Sequence, residues 1–208
     1  MTSDVAGAAD YWDRVWSQGV ETRSWYQTAP TPSLSMLDTA GASATDSLVD
    51  IGGGATTLVE ALLGRGYRDV TELDVSAVAI DTARSRLGDR ASGVTWVVSD
   101  LLDWRPGRVY QVWHDRAALH FLIGEADRRR YVDTMTEATA AGSVAIVATF
   151  APDGPDYCSG LPVVRYSAND LTELLGERWR PIVSRGEAHR TPSGGEQRFT
   201  WAAFRRAY

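Results

Sequence analysis

Lysine is absent from this 208-residue chain, so all 21 of its basic residues are arginine. That excludes Schiff-base chemistry on a lysine and pyridoxal-type catalysis. Cysteine occurs once, as Cys158, which leaves no partner for an internal disulfide and fits a reducing compartment. No apolar run is long enough to span a bilayer; the longest, around residues 144–151, is far too short. The first ten residues lack a basic stretch followed by an apolar one, so no secretory signal is expected. These absences predict a cytoplasmic protein that does not enter a membrane. Positive charge is also scarce: 21 arginines against 27 acidic residues give a formal charge of −6. A nucleic-acid surface needs clustered cations. The one basic run, Arg128-Arg129-Arg130, sits in a helix-like segment and reads as a solvated face, so no nucleic-acid partner is expected. Abundant alanine and arginine suggest a GC-rich, bacterial source.

What the chain does have, from residue 47 onward, is alternation of short β-like runs with helical ones. Strands are predicted at 47–51, 70–75, 94–98, 110–114 and 143–150, with helices over 56–63, 76–87, from about 117, 125–140 and 169–175. Ser76 is the expected N-cap of the second helix. Alternation of this kind builds βαβ units around a parallel sheet. The end breaks the rhythm: 179–185 and 197–205 are strand-like, joined by a Thr-Pro-Ser-Gly-Gly turn and no helix, which implies an antiparallel pair at the sheet edge. The expected fold is α/β and Rossmann-like, with a seven-stranded, mostly parallel sheet, helices on both faces and an antiparallel C-terminal strand. One domain over 1–208 is expected, with 1–46 as an aromatic-rich N-terminal lid and 47–208 as the core.

The centre of the sequence is Val49-Asp50-Ile51-Gly52-Gly53-Gly54-Ala55-Thr56. Glycines between a strand and a helix let the backbone approach a ligand, and the helix start presents free N–H groups. A dinucleotide fingerprint needs a third glycine where Thr57 stands. The pattern acidic-x-Gly-x-Gly-x-Gly, used for S-adenosylmethionine (SAM), fits at Asp50, Gly52 and Gly54 and departs only at Thr56. Asp74, ending the second strand, can accept hydrogen bonds from both ribose hydroxyls, with Val75 and Ser76 beside it. Asp100 can accept from the adenine amino group, with Leu101 packing on the ring. Alone, either aspartate reads more readily as a capping or turn residue. The ordered set, with the antiparallel end, favours SAM as cofactor over NAD and resembles a class I methyltransferase.

The segment Tyr110-Gln111-Val112-Trp113-His114-Asp115-Arg116-Ala117-Ala118-Leu119 resembles the Trp-Asp-Arg-Gly-Ala-Leu segment of the thiopurine methyltransferase family. The likeness continues through Asp127-Arg128, residues 131–135 and Gly154-Pro155 to Leu161-Pro162-Val163. Trp12-Asp13-Arg14-Val15-Trp16 is similar to that family's paired tryptophans. The halide and thiol methyltransferases share the plan, while the glycine motif here differs from the thiopurine form. The resemblance implies that Trp12 lies over the cofactor and that Arg116 faces the cofactor carboxylate or the substrate. An aromatic face suits a sulfonium, and arginine pairs bidentately with a carboxylate. Trp16 reads as a core residue of an amphipathic helix. Ser24-Trp25-Tyr26-Gln27 extends the lid.

Methyl transfer rests largely on positioning. A thiolate or halide acceptor needs no base, whereas an amine or hydroxyl loses a proton. The candidate catalytic residues are His120, Asp115 and Arg116; His114 is placed at the cofactor, and His189 could reach the same cleft. His114, Asp115 and His120 have no metal-ligand spacing, so no metal is expected. Cys158 lies in a loop over 152–165 and reads as small and apolar. The Asn/Asp-Pro-Pro-Tyr/Phe motif of nucleic-acid amine methylation is missing after the fourth strand. The expected activity is transfer of a methyl group to sulfur or nitrogen, or to oxygen, of a small molecule. Alternatives are a protein (lysine) methyltransferase and a SAM-binding protein without transferase activity. The oligomeric state is left open.

Overall fold

The computed structural model describes residues 5–208, with side chains from residue 7 onward. The start of the expected N-terminal segment, residues 1–4, lies outside the described residues. Helices α1 (Val5–Ser17) and α2 (Thr31–Ala40) precede the core. The core then runs β1 (Leu48–Ile51), α3 (Leu58–Gly64), β2 (Val70–Asp74), α4 (Ala77–Leu87) and β3 (Val94–Val98). It continues with β4 (Tyr110–Arg116), α5 (Glu125–Glu137) and β5 (Thr139–Phe150). A small hairpin, β6 (Tyr157–Cys158) and β7 (Leu161–Pro162), leads to α6 (Ala168–Leu175), β8 (Trp179–Arg190) and β9 (Glu196–Arg206). The large sheet has the order β3-β2-β1-β4-β5-β9-β8. Strands β1 to β5 pair in parallel, and β9 runs antiparallel to both β5 and β8. This is the expected fold, with the reversed strand supplied by β9.

Alternation along each strand divides the core into two layers. On one face Leu48, Val112, Ile146 and Trp201 pack with Met36, Leu37 and Leu62 of α2 and α3. On the other, Val49, Trp113, Val147 and Phe204 pack with Tyr131 and Met135 of α5 and Leu171 of α6. Ser76 caps α4 as expected, its side chain accepting from the Ala79 N–H at 3.1 Å. Three local expectations are corrected. Strand β4 continues to Arg116, so Asp115 and Arg116 are strand residues. No helix starts at Ala117: that residue has φ of 71° and is followed by a single 3₁₀ turn, Leu119–Phe121. The Asp115 carboxylate takes up the Ala118 and Leu119 N–H groups, and the chain leaves the turn at Leu122 with ψ of 79°. Finally, α5 stops at Glu137 and β5 begins at Thr139, where Thr139 registers with Tyr110 across an irregularity in the ladder.

Candidate active site

The order of strands changes direction between β1 and β4, the position where open α/β sheets bind ligands. The turn leaving β1 is built for close approach. Gly52 and Gly54 have φ of 62° and 57°, a conformation that costs other residues roughly 1–2 kcal/mol. A Cβ on Gly52 would stand 2.9 Å from that of Ala118. One on Gly53 would overlap the carboxylates of Glu72 and Asp50, and one on Gly54 the indole of Trp16. The turn is thus sealed below by acids and on one side by the lid.

Asp74 ends β2 almost fully buried, and its Oδ1 accepts from the Ser76 N–H at 2.8 Å. Burial pushes its pKa up to about 7, opposed by that Ser76 bond and reinforced by Asp50 and Asp13. Asp100 lies just beyond β3, its Oδ1 accepting from the Leu102 N–H at 2.8 Å. Asp74, Val75, Asp100 and Leu101 all line one cavity of about 440 Å³ with Gly52 and Gly53. Ser76 itself is buried, bound to Asp13 at 2.6 Å.

Strand β4 presents opposite chemistry on its two faces. Toward α2, His114 is held between Asp50 (Nδ1 to Oδ1, 2.6 Å) and Ser33 (Nε2 to Oγ, 3.0 Å). Two residues on, Arg116 donates from Nη1 to the Trp25 carbonyl at 3.1 Å and lies 5.0 Å over the Phe199 ring. Its Nε and Nη2 are buried without a partner, and burial lowers its pKa despite nearby Glu187. His114 and Arg116 both line the cavity. Asp115 points the other way. It accepts from the Ala118 and Leu119 N–H groups and from the Tyr131 hydroxyl at 2.8 Å, while Tyr131 accepts from Trp113. Burial lifts its pKa to about 6, and its hydrogen bonds oppose the shift. Asp115 therefore anchors the turn after β4, on the face away from the cavity.

His120 is buried, packed edge-on against Phe121 at 4.5 Å and against Phe150 at 4.9 Å, with neither ring nitrogen partnered. Burial, and Arg116 after it, lower its pKa to about 3. Phe121 lines the cavity wall and His120 does not. His189 bonds the Ser24 carbonyl at 2.8 Å, supporting the lid from below. Cys158 lines the cavity, its thiol pushed up to about 11 by burial. Among the described residues no cluster of histidine, cysteine and acids could hold a metal ion, and no helix is long and apolar enough to cross a membrane.

The lid is an aromatic cage. Trp12 meets Trp25 at 6.3 Å and Phe121 at 5.1 Å, and Trp16 meets Trp25 at 5.8 Å, each edge to face. Trp12, Trp16 and Trp25 line the cavity; Trp16 is also buried against Ala55 and Ala79, as its core reading expects. Asp13 fixes the lid to the sheet, its carboxylate accepting from the Ser76 hydroxyl and the Val78 N–H at the start of α4. Tyr11 binds the Ser159 carbonyl at the tip of the small hairpin. Ser33, Asp13 and Glu72 escaped sequence reasoning. Glu72 alone carried a signal, as a carboxylate on the same strand face as Val70 and Asp74. It is fully buried, with both oxygens unpartnered, and burial beside Asp50 and Asp74 raises its pKa well above the ordinary range.

A family model described as "Methyltransferase domain" matches residues 48–142, the span from β1 into β5 that holds the glycine turn, Asp74, Asp100 and β4. A structure from work on "Conversion of a Disulfide Bond into a Thioacetal Group during Echinomycin Biosynthesis" is similar over 96% of this chain and 93% of that one, with 24% identity and a TM-score of 0.76. The N-methyltransferase NodS from Bradyrhizobium japonicum WM9, in complex with S-adenosyl-L-homocysteine (SAH), is similar over 94% and 98%, with 18% identity and a TM-score of 0.73. A curated protein, eEF1A lysine and N-terminal methyltransferase of Mus musculus, is 27% identical over 140 residues, 64% of this chain and 20% of that protein. The chain thus spans about a fifth of the length of the curated relatives it matches. The family model covers less than half of the chain, and the solved structures establish the fold alone, one that in NodS holds SAH, the demethylated form of SAM.

The residues present fit SAM. Its methionine part would need a turn free of Cβ atoms, such as Gly52 and Gly53 form over Asp50. Asp74 would suit its ribose, and Asp100 beside Leu101 its adenine; all line the same cavity.

Proposed function

We propose that the protein is a SAM-dependent methyltransferase that methylates sulfur or nitrogen, or oxygen, of a small molecule. The observation that carries this reading is the lid: Trp12, Trp16 and Trp25 roof the cavity from the glycine turn to Phe121, leaving a walled aromatic chamber. When bound, SAM supplies an activated methyl group. The chain's own part is to hold the nucleoside at Asp74 and Asp100, exclude water with the lid and orient the acceptor under Trp12 and Arg116. Two unpartnered nitrogens on a buried guanidinium call for an anionic group, from the cofactor's carboxylate or the acceptor. His120, catalytic in the sequence reading, would instead serve as a neutral ring packed behind Phe121 and supporting the cavity wall. The N-methyltransferases among the similar structures support nitrogen as the acceptor atom. The thiopurine-like segment 110–119 supports sulfur. A cytoplasmic, bacterial setting is consistent with the single free Cys158 and the arginine-only composition.

A protein substrate is the second reading, favoured by the sequence match to the eEF1A lysine and N-terminal methyltransferase. The test is SAM-dependent SAH release across small thiols, amines, phenols and halides, with a lysine peptide and a protein extract in parallel. Turnover of a small acceptor supports the proposal. Turnover of only the peptide or the extract refutes the small-molecule reading, and SAM binding with no release in any arm refutes transferase activity.

A further inference from the structure

Asp50, His114 and Ser33 form a continuous chain across three elements. Asp50 is the next-to-last residue of β1, His114 is its registered neighbour on β4, and Ser33 comes from the first turn of α2. The two links, 2.6 and 3.0 Å, occupy both imidazole nitrogens. Asp50 accepts only, so the ring's Nδ1–H donates to it, and the free lone pair on Nε2 accepts from the Ser33 hydroxyl. The Ser33 oxygen is thereby left with its own lone pairs, and all three residues line the cavity. Ser33 and His114 lie on the β4 side of the glycine turn, with Asp50 on β1 between them and the β2 and β3 ends that carry Asp74 and Asp100.

Resting on the methyltransferase reading, we propose that Ser33, His114 and Asp50 are a proton relay, and that the acceptor is a neutral N–H or O–H group. The acceptor's lone pair forms the new bond to the methyl carbon, while the carbon–sulfur pair departs with sulfur as a neutral thioether. The acceptor's proton passes to the Ser33 oxygen as the Ser33 proton passes to His114 Nε2. The resulting imidazolium is balanced by Asp50, and the proton is later released to solvent. A thiolate or halide would leave such a relay idle.

The other titratable groups are poorly placed for this task. His120 is off the cavity wall, with its pKa lowered to about 3. His189 is tied to Ser24, and Asp115 faces the opposite layer. Asp74 and Asp100 belong to the nucleoside end. The charged groups around His114 are Asp50, with Glu72 beyond it on β2, and Arg116 along β4; from β9 it meets the Trp201 ring.

The test is Ser33→Ala, with Ser33→Cys as the rescue variant. Ser33→Ala is expected to lower kcat on amine or phenol acceptors by about 10²-fold or more, the usual scale of base catalysis. The loss should shrink as acceptors become more acidic, SAH affinity by calorimetry should stay within about threefold, and Ser33→Cys should recover part of the rate. In the cofactor-free protein, ring ¹⁵N spectra should show His114 Nε2 losing a hydrogen bond in Ser33→Ala. Turnover confined to thiols, an equal loss for every acceptor, or an unchanged His114 spectrum overturns the relay and leaves the methyltransferase reading intact. A loss confined to SAH affinity overturns it too, assigning the chain to the cofactor. Absence of SAM and SAH binding in the wild type overturns both.

Discussion

The end of the cavity proposed to hold the nucleoside and the end proposed for the acceptor are built from different materials. Around β1, β2 and β3 the cavity is lined by backbone turns and short carboxylates, each set by a strand end. Around β4 the cavity is walled by side chains from distant segments: Ser33 and Trp25 from the lid, Arg116 from β4, Phe121 from the following turn and Cys158 from the hairpin. The first arrangement is fixed by strand ends and tight turns. The second can be refilled side chain by side chain, and under the proposed function it is where acceptor choice would reside.

Substitutions should separate the two ends. The largest effect is expected at Gly53→Ala, because the new methyl group would strike the buried carboxylates of Glu72 and Asp50. SAM affinity should fall by about 10²-fold or more with a lower Tm, since buried overpacking costs roughly 1–3 kcal/mol before any ligand contact is lost. Calorimetry with thermal melts checks this.

Next comes Asp74→Ala, expected to weaken SAM by about 10- to 100-fold while the domain stays folded, the scale of a hydrogen-bonded charged group. The pH dependence sharpens the point. With its pKa at about 7, Asp74 is largely neutral at pH 6. SAM affinity should therefore rise as pH climbs through about 7, where the accepting carboxylate forms. The unliganded protein should move oppositely. A raised carboxylate pKa gives stability that is complete below about 4 and lost as pH rises through about 7. Asp74→Asn should flatten both trends in paired titrations and melts.

On the far face of β4, Tyr131→Phe removes a bond to buried Asp115 and should lower stability by about 1–2 kcal/mol. Acceptor preference should not change in the surviving folded enzyme; a shift in preference would mean that the two faces of β4 are coupled. Smallest is Arg129→Ala, which breaks an exposed pair with Glu125 and should change stability by less than about 0.5 kcal/mol in denaturant titration.

The same division governs what could be read from the sequence. That Asp50, Gly52, Gly53, Asp74 and Asp100 share one cavity was legible because each is fixed by a local strand end or turn. The antiparallel end was legible because a Thr-Pro-Ser-Gly-Gly turn leaves no room for a crossover helix. Asp115 and His120 were harder. Both sit where a strand ends, yet strand parity sends Asp115 to the α5 face, and the 3₁₀ turn encloses His120 between Phe121 and Phe150. One residue of strand length decides such a matter, and composition does not set it. Ser33 was invisible: its partner His114 is 81 positions away, and nothing around a serine in the first turn of α2 marks it as more than a helix start.

The most direct test of the account is calorimetric titration of the wild type with SAM and with NAD, repeated on Asp74→Ala. Saturable SAM binding, weakened by about 10- to 100-fold in the variant and unmatched by NAD, is the predicted result. Failure of SAM to bind, or equal affinity in Asp74→Ala, would contradict it.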